Sequence, residues 1–244
     1  MSKFIQTEGI VLRSYNLSDS DKIVVIFTAE DGIVRGYANG ARKLKSKFGS
    51  SLEPFTIVSL NYRHKELNEL VRLEKAELVA SHFTLASQSN SFEMANYWCE
   101  LVLEFIPAMM TDKRVYRLLS NSIKLLAIHS ASAKNLSCYF VVWLLKLTGY
   151  FPSLSYCRIC RKKKSADYIS SFSQSGVICS DCFDVGRKHD VSEIITVLRE
   201  ILTLTPQNFL QRDSGTETSI NVLNTHCEQI IKNVIEERYL KFAS

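Results

Sequence analysis

Two Cys-X-X-Cys pairs, Cys157/Cys160 and Cys179/Cys182, stand eighteen residues apart in "CRICRKKKSADYISSFSQSGVICSDC". Each pair offers two sulfurs from one tight turn, and a hairpin between the pairs brings the turns together. The spacing therefore predicts a four-thiolate zinc ribbon. "YISSF" and "GVI" supply the hairpin strands, and Gly176 supplies its bend. Four-thiolate sites without redox partners usually hold zinc rather than iron. Because four protein ligands leave no position for water or substrate, one structural Zn2+ per chain is expected. Arg161 and Phe183 follow the second cysteine of each pair, a place where such turns often carry Gly. The other three of the seven cysteines, Cys99, Cys138 and Cys227, fall on apolar helical faces and read as buried thiols.

On either side of this segment the hydrophobic period differs. Residues 4–80 contain "GIVLRSYNL", "KIVVIFTAEDG", "IVRGYANGA", "FTIVSLNYR" and "LVRLEKAELV", short β-branched or aromatic runs separated by polar turns and Pro54. Five strands at this spacing predict a small barrel, and the oligonucleotide-binding (OB) fold is a five-stranded barrel of this size. Beyond residue 80 the period becomes helical. Met94, Trp98, Leu101, Val102 and Phe105 recur on one face up to Pro107. A second helix is expected from Asp112 to Ile128, and the nearly all-apolar "LSCYFVVWLLKLTGY" predicts a buried central helix ended by Gly149 and Pro152. "VSEIITVLREILTL" and "SINVLNTHCEQIIKNVIEERYL" complete the helical part, with "RDSGTETS" (212–219) as a polar loop.

The expected class is thus α+β and multidomain. Residues 1–80 form an OB-fold domain, 81–152 and 187–244 the two parts of an all-helical domain, and 153–186 an inserted zinc ribbon. The N-terminal "MSKFIQTEGIVLR" lacks the features of a signal peptide, and no apolar run is long enough to span a bilayer. A cytoplasmic protein is expected, whose cysteines are not a disulfide framework.

Charge is concentrated rather than abundant. The net charge is +5, yet the run Arg35, Arg42, Lys43, Lys45 and Lys47 contains no acid, and residues 146–188 carry 8 Lys/Arg against 3 Asp/Glu, including Arg161 to Lys164. Such clusters are the footprint of a polyanion partner, or merely solvated surface. The chain shows no phosphate-binding GxxxxGK[ST], no GxGxxG, no HExxH and no GxSxG. His64, His82, His129, His189 and His226 are scattered, and Asp19 and Asp21 read as a polar turn. The expectation is a protein that is not an enzyme and has no small-molecule substrate.

The order of parts resembles a known family. "EGIVLRSYNLSDSDKIVVIFTAEDGIVRGYANGARK", then "LEPFTIVSLNY", a helical region, "LTGYFPSLSYCRIC" and "GVICSDC" together are similar to the RecO recombination mediators of bacteria, over about residues 8 to 184. The resemblance implies a DNA-repair protein that binds single- and double-stranded DNA and anneals complementary strands. It also implies association with RecR, loading of RecA, and binding of the acidic tail of single-stranded-DNA-binding protein. A nucleoid-associated location follows. Under this reading Arg35, Arg42, Lys43, Lys45 and Lys47 contact phosphates, and Tyr37, Phe48 and Tyr62 are candidates for base stacking. Lys113, Arg114 and Arg117 are candidates for the acidic tail. The alternative is a zinc-containing protein that binds RNA or ribosome.

Overall fold

A computed structural model describes residues 2–65, 70–108, 110–163, 169–173, 176–183, 191–212 and 217–243. Lys164, His189 and residues 213–216 of the expected 212–219 loop lie outside them. Two compact units, Met1–Ala133 and Lys134–Ser244, make up the chain.

The first unit is built on five strands: β1 (Ser2–Asn16), β2 (Lys22–Thr28), β3 (Gly32–Ala38), β4 (Ile57–Lys65) and β5 (Leu70–Ala80). They close in the order β1-β2-β3-β5-β4, antiparallel throughout except for the β3–β5 pair. This is the expected five-stranded barrel. The long β1 serves two neighbours, pairing with β4 through its first half and with β2 through its second, and a register shift between Val11 and Arg13 lets it turn the corner. Gly9 sits at that corner, where an added Cβ would lie 2.5 Å from Ile26 Cγ2.

Alternation along the strands fills the interior with Val11, Val24, Ile26, Val34, Val58, Leu60, Val71 and Leu73. The connection between β3 and β4 closes one end of this core. Its Phe48 and Leu52 are 3% and 1% exposed, and Phe55 N–H donates to Val11 O at 2.8 Å. Phe55 meets Phe92 edge-on.

Two helices join the barrel in this unit, α1 (Ser89–Phe105) and α2 (Lys113–Ile128). Asp112 caps α2, accepting from Arg114 N and Val115 N. Tyr116 seats α2 on the barrel: its ring packs edge-on against Phe27, and its hydroxyl donates to Glu8 Oε1 at 2.8 Å. The helices of the expected second domain therefore split by packing, with 89–128 belonging to the barrel's compact unit.

The second unit contains α3 (Ala133–Leu147), the hairpin β6 (Ile169–Ser173) and β7 (Gly176–Cys179), then α4 (Ser192–Thr203), α5 (Pro206–Leu210) and α6 (Glu217–Ala243). The central helix α3 is buried from Leu136 to Val142, as its composition predicts. Trp143 Nε1 donates to Ile201 O, and Tyr139 hydroxyl donates to Leu204 O, tying α3 to the end of α4. Ile220, Leu223, Cys227, Ile230, Ile231 and Val234 give α6 its buried stripe. Among the described residues no helix is long and apolar enough to cross a membrane.

Candidate nucleic-acid interface and metal centre

The barrel's outer face carries a row that strand pairing assembles from distant residues. Phe4 pairs with Arg63, Arg63 with Arg72, Arg72 with Tyr37, Tyr37 with Ile23, and Ile23 with Tyr15. Directly opposed residues point to the same face of a sheet, so these side chains form one band crossing all five strands. Phe4 and Tyr15 are 56% and 47% exposed, and Arg63 and Arg72 also face solvent. Arg63 and Arg72 share a single carboxylate, Glu74, at 3.3 and 3.8 Å. Tyr15, Ile23 and Arg35 also line a cleft of about 680 Å3, together with Leu103 and Ile106 at the end of α1.

Beside the band lies the basic connection. Arg42 N–H donates to Ser20 O, and its guanidinium donates to Ser18 O at 2.6 Å. Asp21 accepts from Gly40 N–H at 2.8 Å and from the Tyr37 hydroxyl at 2.9 Å. The Gly40 N–H first, then the Tyr37 hydroxyl, hold the Asp21 carboxyl down at about 2, and the same hydroxyl bond raises Tyr37. The β1–β2 turn is thereby fastened to the start of the connection, and the "SDSD" turn is a clamp rather than a catalytic carboxylate pair.

Of the sequence-predicted basic residues, Arg35, Lys43 and Lys45 are exposed and make no ion pair or side-chain hydrogen bond among the described residues. Arg42 is exposed but bonded as above. Lys47 donates to Glu74 O at 2.7 Å and rides over the Phe48 ring. Tyr37 stands half-buried on the outer face. Two stacking candidates are overturned: Phe48 and Tyr62 belong to the barrel core, and the Tyr62 hydroxyl is spent on Asp31 at 2.8 Å. Sequence reasoning missed Phe4, Tyr15, Arg63 and Arg72. Only strand register joins them to Tyr37, although their alternation with core positions is visible along each strand. Of the three tail candidates on α2, Lys113 pairs with Glu30 and Arg114 with Asp112, while Arg117 has no partner among the described residues.

In the second unit, the four sulfurs of Cys157, Cys160, Cys179 and Cys182 lie within 4.8 Å of one another. A tetrahedron with metal–sulfur distances of ~2.3 Å has edges of ~3.8 Å, and Cys160 Sγ lies 3.9 Å from Cys179 Sγ. The first turn is closed by Arg161 N–H to Cys157 O at 2.8 Å and Cys157 N–H to Lys162 O at 3.1 Å. Cys179 N–H donates to Cys157 Sγ. Backbone N–H groups, that of Cys179 foremost, pull the Cys157 thiol down to about 6, whereas burial and then the neighbouring sulfurs push Cys182 up to about 12. Four thiolates this close need a cation to balance them, so the donor set fits a metal ion. By contrast Cys99, Cys138 and Cys227 are buried, and burial raises each thiol.

A closed barrel of OB strand order, joined to a helical unit bearing a four-cysteine cluster, defines a barrel-plus-ribbon class. Residues 1–82 match the family described as "Recombination protein O N terminal", and residues 90–241 match "Recombination protein O C terminal". The chain belongs to the recombination protein O family. The family boundary falls between residues 82 and 90, whereas packing divides the chain after Ala133. Similar curated proteins carry the name "DNA repair protein RecO". The one from Caldicellulosiruptor saccharolyticus is 27% identical over 237 residues, 96% of this chain and 95% of that protein. Those from Syntrophus aciditrophicus (31% identical, 78% of this chain and 73% of the relative) and Bifidobacterium longum subsp. infantis (32%, 70% and 71%) agree.

Proposed function

We propose that this chain is a DNA-binding recombination mediator acting in repair without catalysis of its own. On this reading it grips single- and double-stranded DNA through the barrel and anneals complementary strands. The observation that carries this is the outer-face band of exposed Phe4, Arg63, Arg72 and Tyr15 with half-buried Tyr37 among them and Arg35, Lys43 and Lys45 beside it, on a barrel whose order is that of an oligonucleotide-binding fold. Cations take the phosphates and release counterions, while aromatic faces accept any base. Backbone contacts leave base edges free, which is what pairing with a second strand requires.

Membership of the family supports the finer assignment: association with RecR, binding of the acidic tail of single-stranded-DNA-binding protein, and delivery of RecA to covered DNA in the cytoplasm, at the nucleoid. Two of the three α2 bases already hold carboxylates, which leaves Arg117 alone free for that tail among the three. Zinc is the metal that four thiolates favour. The decisive test is annealing of complementary oligonucleotides coated with single-stranded-DNA-binding protein. Duplex should form faster with the chain present than without it. An unchanged rate, or competition in which RNA displaces DNA from the chain, would overturn the reading.

A further inference from the structure

The first cysteine turn carries more positive charge than holding a metal requires. Arg158, Arg161, Lys162 and Lys163 are all exposed, and none makes an ion pair or side-chain hydrogen bond among the described residues. Arg161 adds a second observation. Its φ is 58°, in the left-handed region where Gly is free of strain and a side chain is not. The turn would close more easily with Gly there, so the strain is tolerated for a side chain that bonds to no other described residue. Strain of this kind points to a use for the residue.

A third observation lies beside it. Tyr156, Arg158, Arg161, Ser153, Cys157 and Gly176 line a concavity of about 380 Å3, within the size range of small-ligand sites. Tyr156 is 53% exposed and its hydroxyl has no partner among the described residues. An aromatic ring flanked by guanidinium groups over a small hollow is the arrangement that stacks a base and holds its phosphate.

We propose that this turn is a second strand-binding surface, with Arg158, Arg161, Lys162 and Lys163 on phosphates and Tyr156 under a base. Each compact unit then holds one single strand. The inference rests on the barrel being the first nucleic-acid site, and it gives annealing a physical basis. Two strands held by one chain meet at an effective concentration set by the chain rather than by their dilution.

The test uses the full chain carrying Arg158→Ala, Arg161→Gly and Lys162→Ala together. Gly suits the backbone at 161, so the turn should keep its metal, and metal content and thermal transition are compared with those of the unsubstituted chain. Titration with a labelled single-stranded oligonucleotide should show two strands per unsubstituted chain and one per variant. The annealing rate should fall by about tenfold or more, because linking two sites typically gains ~10²–10⁴ over one. Tyr156→Ala should weaken the second strand by about fivefold or more, and Tyr156→Phe should not. A metal-replete variant that still binds two strands and anneals at the original rate overturns the proposal. If the unsubstituted chain binds one strand, and replacing Arg35, Lys43 and Lys45 abolishes it, the second site fails and the barrel reading stands. If only the turn substitutions abolish it, the barrel reading fails instead.

Discussion

Asp21 shows how one short side chain places a surface. Its carboxylate joins the β1–β2 turn, the Tyr37 hydroxyl and the Gly40 N–H at the head of the basic connection. Those bonds favour the charged form, setting the folded carboxyl at about 2 against an ordinary value of 3.8. A depressed pKa contributes stability that is complete above the unfolded value and is lost as pH falls through the folded one. Asp21→Asn should therefore lower the urea midpoint at neutral pH, and the gap to the unsubstituted chain should narrow as pH drops from about 4 toward 2. A gap that stays constant across that range would show that the charge of Asp21 is not what holds the turn. Tyr62 is the complementary case. Sequence alternation alone leaves its face open, and the core position it takes follows from β4 pairing with β1 and β5 on either side.

Among the elements, strands were the most legible, because β-branched runs bounded by polar turns leave few alternatives to a small barrel. The cysteine cluster was equally legible, since paired thiols at this spacing have one common use. The outer-face band was not. It is a product of register, joining Phe4 to Tyr15 through four other residues that no local pattern connects. The short α5 was also missed: its five residues are too few for a period, although Thr205 and Pro206 carry a cap and a first-turn proline. The attachment of α1 and α2 to the barrel runs through scattered side chains, Phe92 on Phe55, Tyr116 on Phe27 and Glu8, Glu100 with Arg13 and Lys113 with Glu30, that no local pattern marks within otherwise ordinary helices. The ribbon makes its own prediction. Purified protein should contain about one zinc, and less than half an equivalent would contradict the assignment. Cys179→Ser should reduce metal content and destabilise the second unit. Trp98 is buried in the first unit and Trp143 belongs to the second, so fluorescence in a Trp143→Phe background follows the barrel unit alone. The Trp98 transition should not move when Cys179 is replaced. A shift would show that the two units unfold together.

For the whole molecule, the modest net charge of +5 is less informative than its separation into a barrel cluster and a ribbon cluster, one in each compact unit. Polyanion binding by such clusters is entropic in origin and falls with salt in proportion to the phosphates neutralised. The change in salt dependence on replacing one cluster therefore reads the phosphates that this cluster neutralises. Arg35, Lys43 and Lys45 are barrel cations with no internal partner among the described residues, so replacing all three with Ala leaves the fold's own bonds intact. Lys47 is kept because it supports Glu74 O and covers Phe48. The affinity of this variant for single-stranded oligonucleotides of different sequence is measured across a range of salt, after its thermal transition is shown to be unchanged. Binding should weaken alike for every sequence, and the slope of log K against log salt should flatten by ~0.7 for each phosphate no longer neutralised, about 2 in all. A folded variant whose slope equals that of the unsubstituted chain would contradict the assignment of the strand-binding surface to the barrel.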